Sequence, residues 1–94
     1  PDILDKLFSI IQQRKKDLPE NSYTSSLFKK GTTYIAQKVI EEAGEAALAA
    51  SSKSKEDTIS EIADLMYHTM VLMSSKEITP KEIWSELQAR QTSK

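Results

Sequence analysis

The chain reads as an all-α domain of four to five helices, and three observations carry that reading. Apolar residues recur at three- and four-residue steps along most of the 94 residues. Only 2 glycines and 3 prolines interrupt them. No alternating run is long enough to argue for a strand. With 38% hydrophobic content, a chain of this length forms one domain, residues 1–94, with a marginal core, because a small chain removes little of its surface from water. A helical bundle completed by dimerisation is therefore expected.

The first helix starts at the N-cap candidate Asp2, with Asp5 at the capping-box position, and sets Ile3, Leu4, Leu7, Phe8, Ile10 and Ile11 on one stripe. It fades in the basic run Arg14, Lys15, Lys16. Residues 17–30 hold Pro19, Asn21 and a Ser/Thr cluster, which predicts a loop with one helical turn around Ser26 to Lys30, ended by Gly31. The second main helix is expected from Thr32 to Ala50, on the stripe Ile35, Val39, Ala43, Ala46 and Ala50, and Ser51 to Ser54 should break it.

Ser54 and Asp57 form a capping-box pattern that opens the third main helix. It carries Ile59, Ile62, Leu65, Met66, Met70, Leu72 and Met73 and should stop near Ser75. Apolar residues cover so much of its circumference that it should be largely buried. Thr79, Pro80 and Glu82 supply an N-cap, a first-turn proline and a capping-box acid for the last helix, which carries Ile83, Trp84 and Leu87. Trp84 should pack inward, and the methionines suit core or dimer-interface packing better than base stacking. A frayed tail is expected over residues 91–94.

Composition narrows the function. The 13 Lys plus Arg and 14 Asp plus Glu leave a net charge of −1, too weak a field to attract nucleic acid. The absence of cysteine excludes disulfides and thiolate metal sites and fits a cytoplasmic location. No apolar stretch is long enough to span a membrane, and the charged amphipathic start does not read as a secretory signal.

The candidate chemistry is acidic. The second main helix holds Glu41, Glu42 and Glu45, and the third holds Glu61 and Asp64, each set joined by the three-residue step that shares one helix face. At about 100° per residue, Glu42 lies about 20° from Ile35 and about 40° from Ala46, so it borders the apolar stripe. Ionised carboxylates beside such stripes need a compensating cation or basic partners. Oxygen donors without thiolates favour Mg²⁺ or Mn²⁺ over Zn²⁺. The same spacing also suits solvated glutamates, and Lys38 with Glu42 is an ordinary i,i+4 pair. His68, one turn after Asp64, reads as a polar core residue bonded to that carboxylate. Lys38, on the acidic face, and Lys29 and Lys30 nearby are candidate phosphate contacts.

KVIEEAGE (residues 38–45), with EIADLMYH (residues 61–68) beginning sixteen positions after Glu45, resembles the EExxE and ExxD signature of the MazG-like all-α nucleoside triphosphate pyrophosphohydrolases. The upstream stretch SYTSSLFKKG (residues 22–31) resembles the segment typical of one branch, the phosphoribosyl-ATP pyrophosphohydrolases of histidine biosynthesis. The resemblance runs from about Leu4 to Arg90. It implies a helical homodimer that uses Mg²⁺ to hydrolyse phosphoribosyl-ATP to phosphoribosyl-AMP and pyrophosphate. By that resemblance Glu42, Glu45, Glu61 and Asp64 match the metal ligands, Glu41 or Glu45 accepts a proton from water, and Lys38 assists. Tyr23, Thr24, Lys29 and Lys30 are expected to grip the substrate. Two alternatives stay open: a house-cleaning (d)NTP pyrophosphatase with the same ligands, and a non-enzymatic dimeric helical module with a structural cation.

Overall fold

The computed structural model describes residues 2–91, except for the side chain of Asp2. The cap expected at Asp2 lies outside the described residues; of the tail expected over residues 91–94, Gln91 instead closes the last helix and residues 92–94 lie outside them. Five helices follow one another: α1 (Asp2–Asp17), α2 (Tyr23–Lys30), α3 (Thr32–Ser52), α4 (Lys55–Ser75) and α5 (Pro80–Gln91). The all-α expectation holds.

Local sequence explains most boundaries. Ser54 caps α4 by accepting a hydrogen bond from the Asp57 N–H at 3.1 Å. Thr79 and Glu82 form a reciprocal capping box: the Thr79 N–H donates to Glu82 Oε1 at 3.0 Å, and the Glu82 N–H donates to Thr79 Oγ1 at 3.4 Å. α4 ends in a Schellman turn in which the Ile78 and Glu77 N–H groups donate to Met73 and Ser74 carbonyls at 2.8 and 3.1 Å. That turn places Glu77 at φ 59°.

Three expectations are corrected. First, the segment read as a loop with one turn is an eight-residue helix, α2. Ser22 is its N-cap, taking the Ser25 N–H at 3.1 Å, so part of the Ser/Thr cluster starts a helix instead of a turn. Second, the buried face of α3 is Ile35, Glu42, Ala46 and Ala49, and Ala43 and Ala50 are exposed. α3 also runs two residues further than expected, to Ser52. In α1, likewise, Ile3 and Ile10 are exposed, and Phe8 and Ile11 are the buried pair.

Third, α4 is buried only in its second half. Ile59, Ile62 and Met66 are exposed, whereas Met70 and Val71 are buried. Trp84 is 40% exposed and Leu87 more so, so α5 is only partly packed inward. The reason is the placement of the covering elements. α3 and α4 pair along their length through the short Lys53–Ser54 link. Thr32 at the start of α3 hydrogen-bonds Ser75 at the end of α4, so the pair is antiparallel. The core gathers at that end, where Phe8, Ile11 and Leu27 meet Ile35, Met70 and Val71. Each such buried side chain contributes about 1.5–3 kcal/mol. The link end of the hairpin lacks an equivalent cover among the described residues.

Candidate metal centre

Glu42 comes from the middle of α3, and the helix repeat turns it inward: it is 7% exposed. Glu45 follows one turn later on the rim and is exposed, and Glu61 is half-buried across the hairpin on α4. One carboxylate oxygen from each of these three lies within 4.8 Å of the others. The antiparallel pairing makes this possible, because it sets residues 42–45 of one helix opposite the first turns of the next.

The crowding has an electrostatic signature. The Glu61 carboxyl is held above the usual glutamate value, first by partial desolvation, then by the charges of Glu45, Asp64 and Glu42, with Lys53 opposing them. Asp64 therefore faces the same field but stands outside the group of three and is exposed. A hard divalent cation fits this donor set, which is all carboxylate oxygen, close-set and anchored by a buried member.

Lys38 lies beside the acids. Its Nζ is 3.2 Å from Glu41 Oε1 and 4.0 Å from Glu42 Oε2. The hydrogen bond to Glu41 raises the ammonium's pKa, against an opposing desolvation, so the group stays charged. Glu41 also takes a hydrogen bond from Gln37 Nε2 at 3.4 Å and is not part of the three-acid group. Lys30 sits over the Tyr34 ring, 4.5 Å from its centroid, and Lys29 is exposed. Neither lysine forms an ion pair among the described residues.

Tyr23 and Thr24, at the start of α2, reach α4. The Tyr23 hydroxyl is 3.0 Å from His68 Nε2, and Thr24 Oγ1 hydrogen-bonds the Tyr67 hydroxyl. Desolvation raises the Tyr23 pKa first; the charge of Lys38 opposes it, and Tyr67, Tyr34 and Glu42 add to it. His68 is buried and bonds the backbone carbonyl of Asp64 at 2.8 Å, not its carboxylate as the sequence suggested. Sequence reasoning does not reach Tyr67 or Lys53. The signal for Tyr67 is its place three residues after Asp64, and Lys53 shows its closeness only once the hairpin link is folded.

Fold and site together define a class: an all-α protein whose central helix hairpin presents a carboxylate cluster suited to a divalent cation. The family model for phosphoribosyl-ATP pyrophosphohydrolase matches residues 4–91. The chain is 44% identical over 88 residues to the phosphoribosyl-ATP pyrophosphatase of Sulfolobus acidocaldarius, covering 94% of this chain and 93% of that protein. It is 47% identical over 89 residues to the Metallosphaera sedula protein of the same name, covering 95% and 96%. The chain belongs to the phosphoribosyl-ATP pyrophosphohydrolase family.

Proposed function

We propose that this chain hydrolyses phosphoribosyl-ATP to phosphoribosyl-AMP and pyrophosphate, the second step of histidine biosynthesis, with Mg²⁺ or Mn²⁺ held by Glu42, Glu45, Glu61 and Asp64. The convergence of Glu42, Glu45 and Glu61 in a chain of this family supports the reading most. A bound ion would supply positive charge to phosphate oxygens and a more acidic water.

The chain's own groups do the rest. Glu42 and Glu61 fix the ion-binding end of the site from opposite helices. Lys38 presents its ammonium to the negative charge that grows on phosphate oxygens as the anhydride breaks. With Glu45 converging on Glu42 and Glu61, Glu41 is left to accept the proton of the attacking water. Tyr23 and Thr24, with Lys29 and Lys30 further along α2, hold the part of the substrate that ordinary ATP lacks.

We place the enzyme in the cytoplasm, consistent with its lack of cysteine; no described helix is long and apolar enough to cross a membrane. A second copy of the chain would cover the exposed Ile40, Leu48, Ile59 and Ile62 of the hairpin. The test is turnover of phosphoribosyl-ATP against a panel of dNTPs, with Mg²⁺ and after chelation. Preferred release of pyrophosphate from phosphoribosyl-ATP is expected. Equal turnover of dNTPs would favour the house-cleaning alternative, and hydrolysis that survives chelation would remove the metal.

A further inference from the structure

α2 is tied to α4 by two side-chain bridges that start next to the acidic group. His68 is 6% exposed, and both its ring nitrogens are engaged. A backbone carbonyl only accepts, so Nδ1 carries a proton and donates it to the Asp64 oxygen at 2.8 Å. In that tautomer Nε2 has a lone pair, which takes the Tyr23 hydroxyl proton at 3.0 Å. Tyr23 remains 53% exposed, so this bond fixes its hydroxyl end while its ring stays open to a ligand. The second bridge joins Thr24 to Tyr67. The rings of Tyr23 and Tyr67 stack at 6.3 Å between centroids, and His68 meets Tyr67 edge-on at 5.0 Å.

We infer that His68 is a positioning residue, with Tyr67 as its second support: through the Asp64 carbonyl and the Tyr23 hydroxyl it sets the start of α2 in register with the acidic face of α4. The inference rests on the reading that Tyr23 and Thr24 meet the substrate. One imidazole thus links the turn that carries Asp64 to the side chain that meets the organic part of the substrate, so its loss disturbs binding more than the bond-breaking end.

The experiment compares Tyr23→Phe, His68→Asn and the double variant, with KM and kcat measured on phosphoribosyl-ATP and ¹⁵N NMR of His68 in the unliganded protein. The spectrum should show the proton on Nδ1, with an Nε2 resonance that shifts in Tyr23→Phe. Each single variant should raise KM about three- to tenfold, as expected for one net hydrogen bond, with a smaller fall in kcat. The double variant should lose no more than the worse single one, because both changes break the same bridge. A proton on Nε2, an Nε2 resonance indifferent to Tyr23→Phe, additive losses, or a lower melting temperature at unchanged KM would each overturn the inference. Should His68→Asn fail to fold, Tyr23→Phe removes only the hydroxyl of a half-exposed residue and decides alone. Failure of the unsubstituted chain on phosphoribosyl-ATP would sink the substrate reading, and the NMR arm would still uphold or overturn the His68 bridge.

Discussion

The two ends of the α3–α4 hairpin carry similar apolar side chains and meet different surroundings. At the end joined by Thr32 and Ser75, Ile35 and Val71 are sealed by residues of α1 and α2. At the link end, Leu48 and Ile59 are 66% and 58% exposed. Helical periodicity says which face of a helix seeks cover. It does not say whether the chain has an element to spare for it. The acidic group lies between the two ends, with Glu42 as its buried member.

The largest effect should separate the two ends directly. Ile35→Ala removes a fully buried side chain and should cost about 2–5 kcal/mol in denaturant unfolding. The same truncation at exposed Ile59, at the link end, should cost under about 0.5 kcal/mol in a monomer. Similar losses at both positions, at dilutions where only single chains exist, would erase the contrast.

The acids between the ends come next. Glu42→Gln or Glu61→Gln should lower kcat/KM by about a hundredfold or more, close to 3 kcal/mol, with the helices intact by circular dichroism. Asp64→Asn, outside the close group, should cost less. Chelation gives the complementary readout. Because the Glu61 pKa is raised in the fold, its contribution to metal-free stability is present below the unfolded glutamate pKa. It is lost as pH rises through the folded value. In EDTA near pH 7, Glu61→Gln should therefore melt at the same or a higher temperature, and a clear fall would contradict the repulsion among these carboxylates.

Much of this was legible in sequence. The caps at Ser54 and Thr79, the end of α4 near Ser75 and the inward turn of Glu42 follow from short-range chemistry. α2 was less legible because Ser22 can open either a turn or a helix, and only Leu27 packing against Phe8 and Ile11 decides for the helix. The exposure of Ile59 and Ile62 was hidden for another reason: it depends on where α1 and α2 land. The bridges from Tyr23 and Thr24 to α4 join residues 45 and 43 positions apart, beyond the reach of any local pattern.

The bare end also makes the dimer testable. Ile59→Lys places a charge on the exposed face and should leave the single-chain fold unchanged, since the side chain touches little of its own chain. If a second copy covers this face, the substitution should weaken association by about 1–3 kcal/mol, the usual cost of a charge at an apolar contact. Sedimentation would show the unsubstituted protein near twice the 10.6 kDa chain mass and the variant moving toward one chain at micromolar concentration. An unsubstituted protein that sediments as one fully active chain would remove the dimer.

The smallest effect, that of Glu77→Gly, belongs to the sealed end and concerns backbone alone. Glu77 holds φ 59° in the turn that ends α4, a left-handed conformation that costs a residue with a Cβ about 1–2 kcal/mol and glycine almost nothing. Glycine also adds freedom to the unfolded chain, which returns about 0.5–1 kcal/mol of that gain. Glu77→Gly should therefore raise stability by about 0.5–1 kcal/mol without touching activity. Gly31 offers the opposite sign at the same end. It joins α2 to α3 at φ 98° and ψ 171°, a region open essentially to glycine only, and a Cβ there would meet nothing within 4 Å. Gly31→Ala should then lose about 1–3 kcal/mol through backbone strain, with no steric clash to share the blame. Thermal melts of the two single variants decide the matter: a stabilised Gly31→Ala or a destabilised Glu77→Gly would mean that packing around these joints, and not their dihedral angles, holds the sealed end together.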